Sequence, residues 1–126
     1  MKDSFTLAEL IIVVVIIGIL AGIGIPRFLK AKRRTIDKEA QTNLKLIQTA
    51  ERIHELEEGK YVNCSDNDNC SDKLDLDLPS STASGGNWDY SVACGSFACD
   101  TGFTATATGR EGTQNWTIDE DDEEPS

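Results

Sequence analysis

FTLAELIIVVVIIGILAGIGIP, residues 5–26, decides the fold of this 126-residue chain. Glu9 is its only charge, and from Leu10 to Ile25 no side chain is polar. Wound as an α-helix, a run of about 21 residues is about 31 Å long, close to the bilayer core of about 30 Å. A secretory signal has a short apolar core that ends at a small-residue cleavage site. Here the core runs straight on into a segment that also reads as helix. A carboxylate at membrane depth costs about 2.5–3.5 kcal/mol on insertion scales, so Glu9 needs a partner. No basic residue lies within the run, so the partner comes from the chain's own amino end or from another molecule. That points to self-assembly.

Beyond the run, Ile36, Ala40, Leu44, Ile47, Ala50 and His54 recur at three- and four-residue spacing among Lys, Arg, Glu and Gln. This is the pattern of an amphipathic helix with one buried stripe, and Gly59 is placed to end it. Unbroken, a helix over residues 5–58 is about 80 Å long. Its first half faces lipid or partners, and its second half forms one wall of a domain. His54 on that face reads as a packed or capping histidine. With about 50 residues in one helix, the chain has room for a single small globular domain.

Residues 62–87 read as loop, with Leu74, Leu76 and Leu78 alternating with Asp75 and Asp77 as a short extended segment laid on the helix. Strands follow at 88–93, 97–98, 103–108 and 113–118, rich in β-branched and aromatic residues, with turns at Gly95-Ser96 and at 109–112. Phe103, Ala105 and Ala107 are expected to face the helix and Thr104, Thr106 and Thr108 to face out. Trp88, Tyr90, Trp116 and Ile118 read as core. The fold class is α+β: a long N-terminal helix packed on a small antiparallel sheet. The organisation expected is 1–4 as a leader, 5–26 as a transmembrane and assembly helix and 27–59 as an amphipathic helix. A disulfide-stapled loop and sheet fill 60–118, and 119–126 is an acidic, disordered tail.

Cys64, Cys70, Cys94 and Cys99 form two close pairs whose spacings are not those of a zinc ribbon. Two disulfides imply an oxidising, extracytoplasmic compartment. Among three connectivities, local pairing of 64 with 70 and of 94 with 99 is preferred. Asp66, Asp68 and Asp72 fall at oxygen-ligand spacing for calcium, but Ser71 stands where the turn glycine belongs. Solvated loop acids are the default reading, and no cofactor is expected.

Net charge is −10, unevenly placed. Residues 27–38 hold six basic side chains (Arg27, Lys30, Lys32, Arg33, Arg34 and Lys38) and one acid, Asp37. After residue 50 there are eighteen acids and four bases. A domain so acidic argues against nucleic acid as a ligand. The basic cluster suits lipid headgroups or the acidic surface of a neighbouring subunit. The acidic tail is one such surface. No nucleophile–base pair, phosphate loop or metal cluster is present, so an enzyme is not expected.

Phe5-Thr6-Leu7-Ala8-Glu9-Leu10, then Ile17-Gly18-Ile19-Leu20-Ala21 and Ile25-Pro26, resembles the N-terminus of bacterial type IV pilins and the related pseudopilins. The likeness is close over residues 5–28 and looser to Gly59-Lys60-Tyr61. One departure is Ser4, where that family usually carries glycine. The resemblance implies cleavage by a prepilin peptidase between Ser4 and Phe5, N-methylation of Phe5, and pairing of Glu9 with the Phe5 amine of an adjacent subunit. It also implies that the helix softens at Gly18 and Pro26 in a filament. Two further implied partners are an assembly ATPase acting through an inner-membrane platform protein and an outer-membrane secretin.

Positive-inside bias places the 27–38 cluster in the cytoplasm, whereas the cysteines belong outside, and the resemblance sides with the cysteines. The leading expectation is a structural subunit that waits in the inner membrane and polymerises through its apolar helix into a surface filament. Alternatives are a type II secretion pseudopilin in the periplasm and a membrane-anchored extracytoplasmic binding module that does not polymerise.

Overall fold

The computed structural model describes residues 4–110 and 114–126. Residues 1–3 of the expected leader, and residues 111–113 of the expected final turn and strand, lie outside the described residues. One helix, α1 (Leu7–Glu58), takes in both the apolar and the amphipathic stretch. By internal contacts the chain forms two compact units, Met1–Thr35 and Ile36–Ser126.

Within the first unit the described residues are almost entirely helix. Thr6 opens α1, and the Leu10 N–H donates to the Thr6 carbonyl at 3.3 Å. The helix persists through Pro26, although a proline has no N–H to give to the carbonyl one turn back. No part of its most apolar 18-residue window is buried.

The second unit is built around Ala40, Leu44 and Ile47, which are fully buried on one face of α1. Their spacing of three and four brings them onto a single stripe. Against it lies an antiparallel sheet in the order β1 (Trp88–Cys94), β2 (Phe103–Gly109), β3 (Asn115–Asp119). Val92 stands opposite Ala105, and Ala105 opposite Ile118. The period-two alternation of a strand explains which side chains go in. Phe103, Ala105 and Ala107 are buried, and Thr104 between them is exposed. Trp88, Tyr90 and Ile118 complete the core, with Trp116 partly buried beside it. The Trp88 indole N–H finds the Ile36 carbonyl at 2.8 Å, which gives the buried ring its polar partner.

Three expectations are corrected. The 62–87 stretch is not all loop, because α2 (Asn67–Leu74) forms inside it. Asp66 caps α2 by accepting the Asn69 N–H at 2.8 Å, and Lys73 sits in its last turn. Leu74 therefore ends a helix instead of opening a strand, and Asp75 closes that helix in the left-handed region (φ 51°). The short strand at 97–98 is instead part of a tight turn, with Phe97 fully exposed.

The acidic tail is ordered and held mainly through its carbonyls. Gln48 donates to the carbonyls of Asp119 (2.6 Å) and Asp122 (2.9 Å), and Arg52 donates to that of Glu120 (2.5 Å). Lys45 pairs with Glu124 at 2.6 Å. Pro125 is buried, and Thr117 and Ser126 exchange two backbone hydrogen bonds. Donors on α1 thus overcome the mutual repulsion of a six-acid run.

The segment between the helices is fastened just as closely. Cys64 and Val92 exchange backbone bonds at 3.1 and 2.9 Å. The buried Asn67 amide accepts the Tyr90 N–H at 2.6 Å and donates to the carbonyls of Trp88 (3.0 Å) and Pro79 (2.8 Å).

Candidate functional site

The feature that demands a function is the open apolar face of α1. Every large apolar side chain from Leu7 to Leu29 keeps about half or more of its surface open, from 49% at Val13 to 78% at Leu7. Burying such side chains is worth about 1.5–3 kcal/mol each, so the face is stable only in lipid or against another apolar surface.

At its start the residues around Glu9 form a reciprocal cap. The Thr6 N–H and hydroxyl both donate to Glu9 Oε2, at 2.9 and 2.7 Å, and the Glu9 N–H returns to the Thr6 hydroxyl at 3.3 Å. This is a capping box, in which a threonine at the cap and a glutamate three residues on satisfy each other's orphan donors. Thr6-Leu7-Ala8-Glu9 carries that signature in sequence, so Thr6 was findable as the local partner of Glu9. The carboxylate therefore has two donors from its own chain before any second molecule arrives, and both meet Oε2. Phe5, one residue before the cap, is 83% exposed, and Ser4 is exposed too.

Gly18 and Pro26 both lie within α1, and a Cβ at Gly18, Gly22 or Gly24 would meet nothing within 4 Å. Arg27, Lys30, Lys32, Arg33 and Arg34 are all exposed. The acidic tail engages Lys45, Gln48 and Arg52 within its own unit.

The cysteines pair locally. Cys64–Cys70 and Cys94–Cys99 are both bonded, and no cysteine is free among the described residues. The three candidate calcium ligands take up other positions. The Asp66 carboxylate caps α2, and its bonds to the Asn69 N–H and the Ser65 hydroxyl hold its pKa below the usual value. Asp68 and Asp72 lie on α2 itself. Among the described residues no three His, Cys, Asp or Glu side chains gather as a metal site. His54 Nδ1 meets the Lys60 carbonyl at 2.9 Å, a capping contact at the end of α1.

The burial of Glu51 and the hydrogen bond of the Tyr90 hydroxyl were not read from the sequence. Glu51 is fully buried. Its Oε2 accepts the Val62 N–H at 2.8 Å, and its Oε1 has no partner among the described residues. Burial pushes its pKa up, against the opposing pull of the Val62 N–H and of His54. The Tyr90 hydroxyl accepts from Asn43 at 2.8 Å, and burial pushes its pKa up to about 12. Glu51 sits one turn beyond Ile47 on the buried stripe, and that spacing is the signal that finds it.

Comparison with known proteins fits this geometry. Residues 2–25 match the family model described as the prokaryotic N-terminal methylation motif. The chain is 52% identical over 58 residues to the type IV major pilin protein PilA of Myxococcus xanthus strain DK1622. In its amino-terminal region the chain is thus similar to the type IV pilins. The shared stretch covers 46% of this chain and about a quarter (26%) of that relative's length. No solved structure matches the chain.

Proposed function

We propose that the chain is a structural subunit that polymerises through its apolar helix into a type IV pilus-like filament. The observation that carries this reading is the helix face left open from Leu7 to Leu29. In the inner membrane lipid covers that face. In the filament other copies cover it, and the small disulfide-stapled heads lie outside. The methylation motif and the likeness to a major pilin support this reading.

Processing is part of the proposal. A prepilin peptidase cuts between Ser4 and Phe5, and the Phe5 amine is methylated and keeps its charge. Cleavage there leaves both Thr6 and Glu9 in place, so the capping box survives it. Glu9 then holds the start of its own helix with one oxygen and offers the other to the amine of an adjacent copy. Gly18 and Pro26 are where α1 softens as the subunit leaves the membrane, since glycine and proline are poor helix formers. An assembly ATPase and its platform protein supply the extraction step.

The test is to shear cells expressing the chain and to image the sheared material by electron microscopy, alongside Glu9→Gln. Fibres from the wild-type chain and a marked fall in yield from Glu9→Gln are expected. Normal yield from the variant removes the amine pairing. A chain that remains in the periplasm without surface fibres indicates the pseudopilin reading. N-terminal sequencing of the fibres tests cleavage, with Phe5 expected as the first residue.

A further inference from the structure

The second unit carries an open groove of about 420 Å³ at the edge of its core. Its floor is apolar: Leu46, Ala50 and Ile53 from α1, with Leu74 and Leu76 from the end of α2 and just beyond. Leu46 and Ile53 are 43% and 52% exposed, on a helix face separate from the buried Leu44 and Ile47. Each lip carries a carboxylate: Glu57 stands on the α1 side near His54, and Asp75 is exposed on the other. Lys73, the cation at this rim, already donates to the Asn63 carbonyl at 2.7 Å.

The first unit presents the complementary surface. Phe28 is 68% exposed. Lys32 lies one helical turn further along the same face, Arg27 is adjacent in sequence, and both are exposed. Residues 27–38 carry six bases and one acid. When apolar helices bundle side by side, these cations are drawn together, and each copy needs an anionic surface close by. An aromatic anchor flanked by cations, facing an apolar groove with acidic lips, is the helix-in-groove mode of recognition.

We infer that the groove on the head of one copy receives the Phe28 face of α1 from a second copy, with Arg27 and Lys32 set against Glu57 and Asp75. This rests on the polymerisation proposed above and adds the contact that neutralises the basic stretch. The occupant is a second copy because the basic, aromatic surface that the acidic rim and apolar floor would suit is presented by this same chain. The contact joins two different patches, so it is heterologous and builds an open series, not a closed pair.

The test uses two differently tagged full-length chains expressed together, one carrying Phe28→Cys and the other Ile53→Cys. Sheared filaments are oxidised and run without reductant. A cross-linked species bearing both tags is expected, whereas Phe28→Cys paired with Thr104→Cys, on the outer sheet face, should give none. Charge reversal supplies an independent arm. Glu57→Lys with Asp75→Lys should cut filament yield at least several-fold, and adding Arg27→Glu with Lys32→Glu should restore it. Circular dichroism of the extracted subunits checks that the heads are folded. Wild-type filaments with no 28–53 cross-link, and with yield indifferent to charge reversal, overturn the groove contact while leaving polymerisation standing. Absence of filaments from the wild-type chain overturns the polymerisation reading and this contact together. Yield governed by anionic lipid content and not by Glu57 and Asp75 assigns the basic stretch to headgroups and also overturns the contact.

Discussion

Residues 7–35 and 36–58 belong to the same helix, yet the two stretches are stabilised in opposite ways. In the second, Ala40, Leu44 and Ile47 are wholly buried by the sheet of their own unit. In the first, side chains at least as apolar are left about half open or more. The head makes its core from its own residues. The stem borrows its core from lipid or from other molecules. Equal hydrophobicity thus gives internal stability in one stretch and association in the other, and the difference is whether the chain supplies a covering layer.

The sharpest way to break this contrast is a matched pair of truncations. Leu44→Ala should lower head stability by about 2–5 kcal/mol through lost burial and a cavity. Leu20→Ala should leave the head's thermal unfolding unchanged and reduce filament yield. Denaturation followed by tryptophan fluorescence on detergent-extracted subunits, beside sheared-fibre yields, checks both. Equal loss of head stability from the two variants would break the contrast.

Reducing the disulfides should weaken the head by about 2 kcal/mol per bridge, the chain-entropy expectation for loops this short. Helical signal from the stem in detergent should persist, because residues 7–35 contain no cysteine. Differential scanning calorimetry with and without reductant is the measurement.

A smaller effect is expected at the α2 cap. Asp66→Ala removes the acceptor for the Asn69 N–H and should lower the head's melting temperature by a few degrees at neutral pH. The Asp66 pKa is lowered in the folded head. Its contribution is therefore complete above the ordinary carboxylate range and lost as pH falls through the folded value. Wild-type and variant melting curves should converge in strong acid.

Glu51 has the opposite sign. Its pKa is raised by burial, so the folded head holds that proton to higher pH than the unfolded chain does. Stability is fully present below the ordinary carboxylate value and declines as pH rises through the folded one. Glu51→Gln should flatten this decline between about pH 4 and the raised value, while Gln still accepts the Val62 N–H. A pH series of melting temperatures reads it out. An unchanged slope would mean that Glu51 is ionised without penalty in the head.

The parts that could be read from the sequence were those with a strong period. The three- and four-residue spacing of Ala40, Leu44 and Ile47 and the alternation from Phe103 to Ala107 each carry one unambiguous face, and both faces are buried as expected. The two close cysteine pairs were readable because short loops favour local closure. α2 was hidden because its eight residues are mostly polar and include only Cys70 and Leu74 as buried apolar side chains. Its signal was the Asp66 cap, which composition obscured. The tail was misread for a related reason. A run of acids looks solvated when considered alone, and its order comes from Lys45, Gln48 and Arg52, more than sixty residues away. Glu9 was singled out from the outset, and the threonine three residues before it was the signal that names its local partner.

One feature of the head bears on how it behaves when many copies are crowded together. A three-stranded sheet has two outer strands, and unpaired N–H and C=O groups there are templates for edge-to-edge aggregation. In this head Cys64 and the Asn67 amide occupy outward-facing groups of β1, at Val92, Tyr90 and Trp88. Ser126 does the same for β3 at Thr117. Both rims are thus guarded against strand addition by a neighbour. Heads brought close together are therefore kept from fusing edge to edge into amyloid-like stacks.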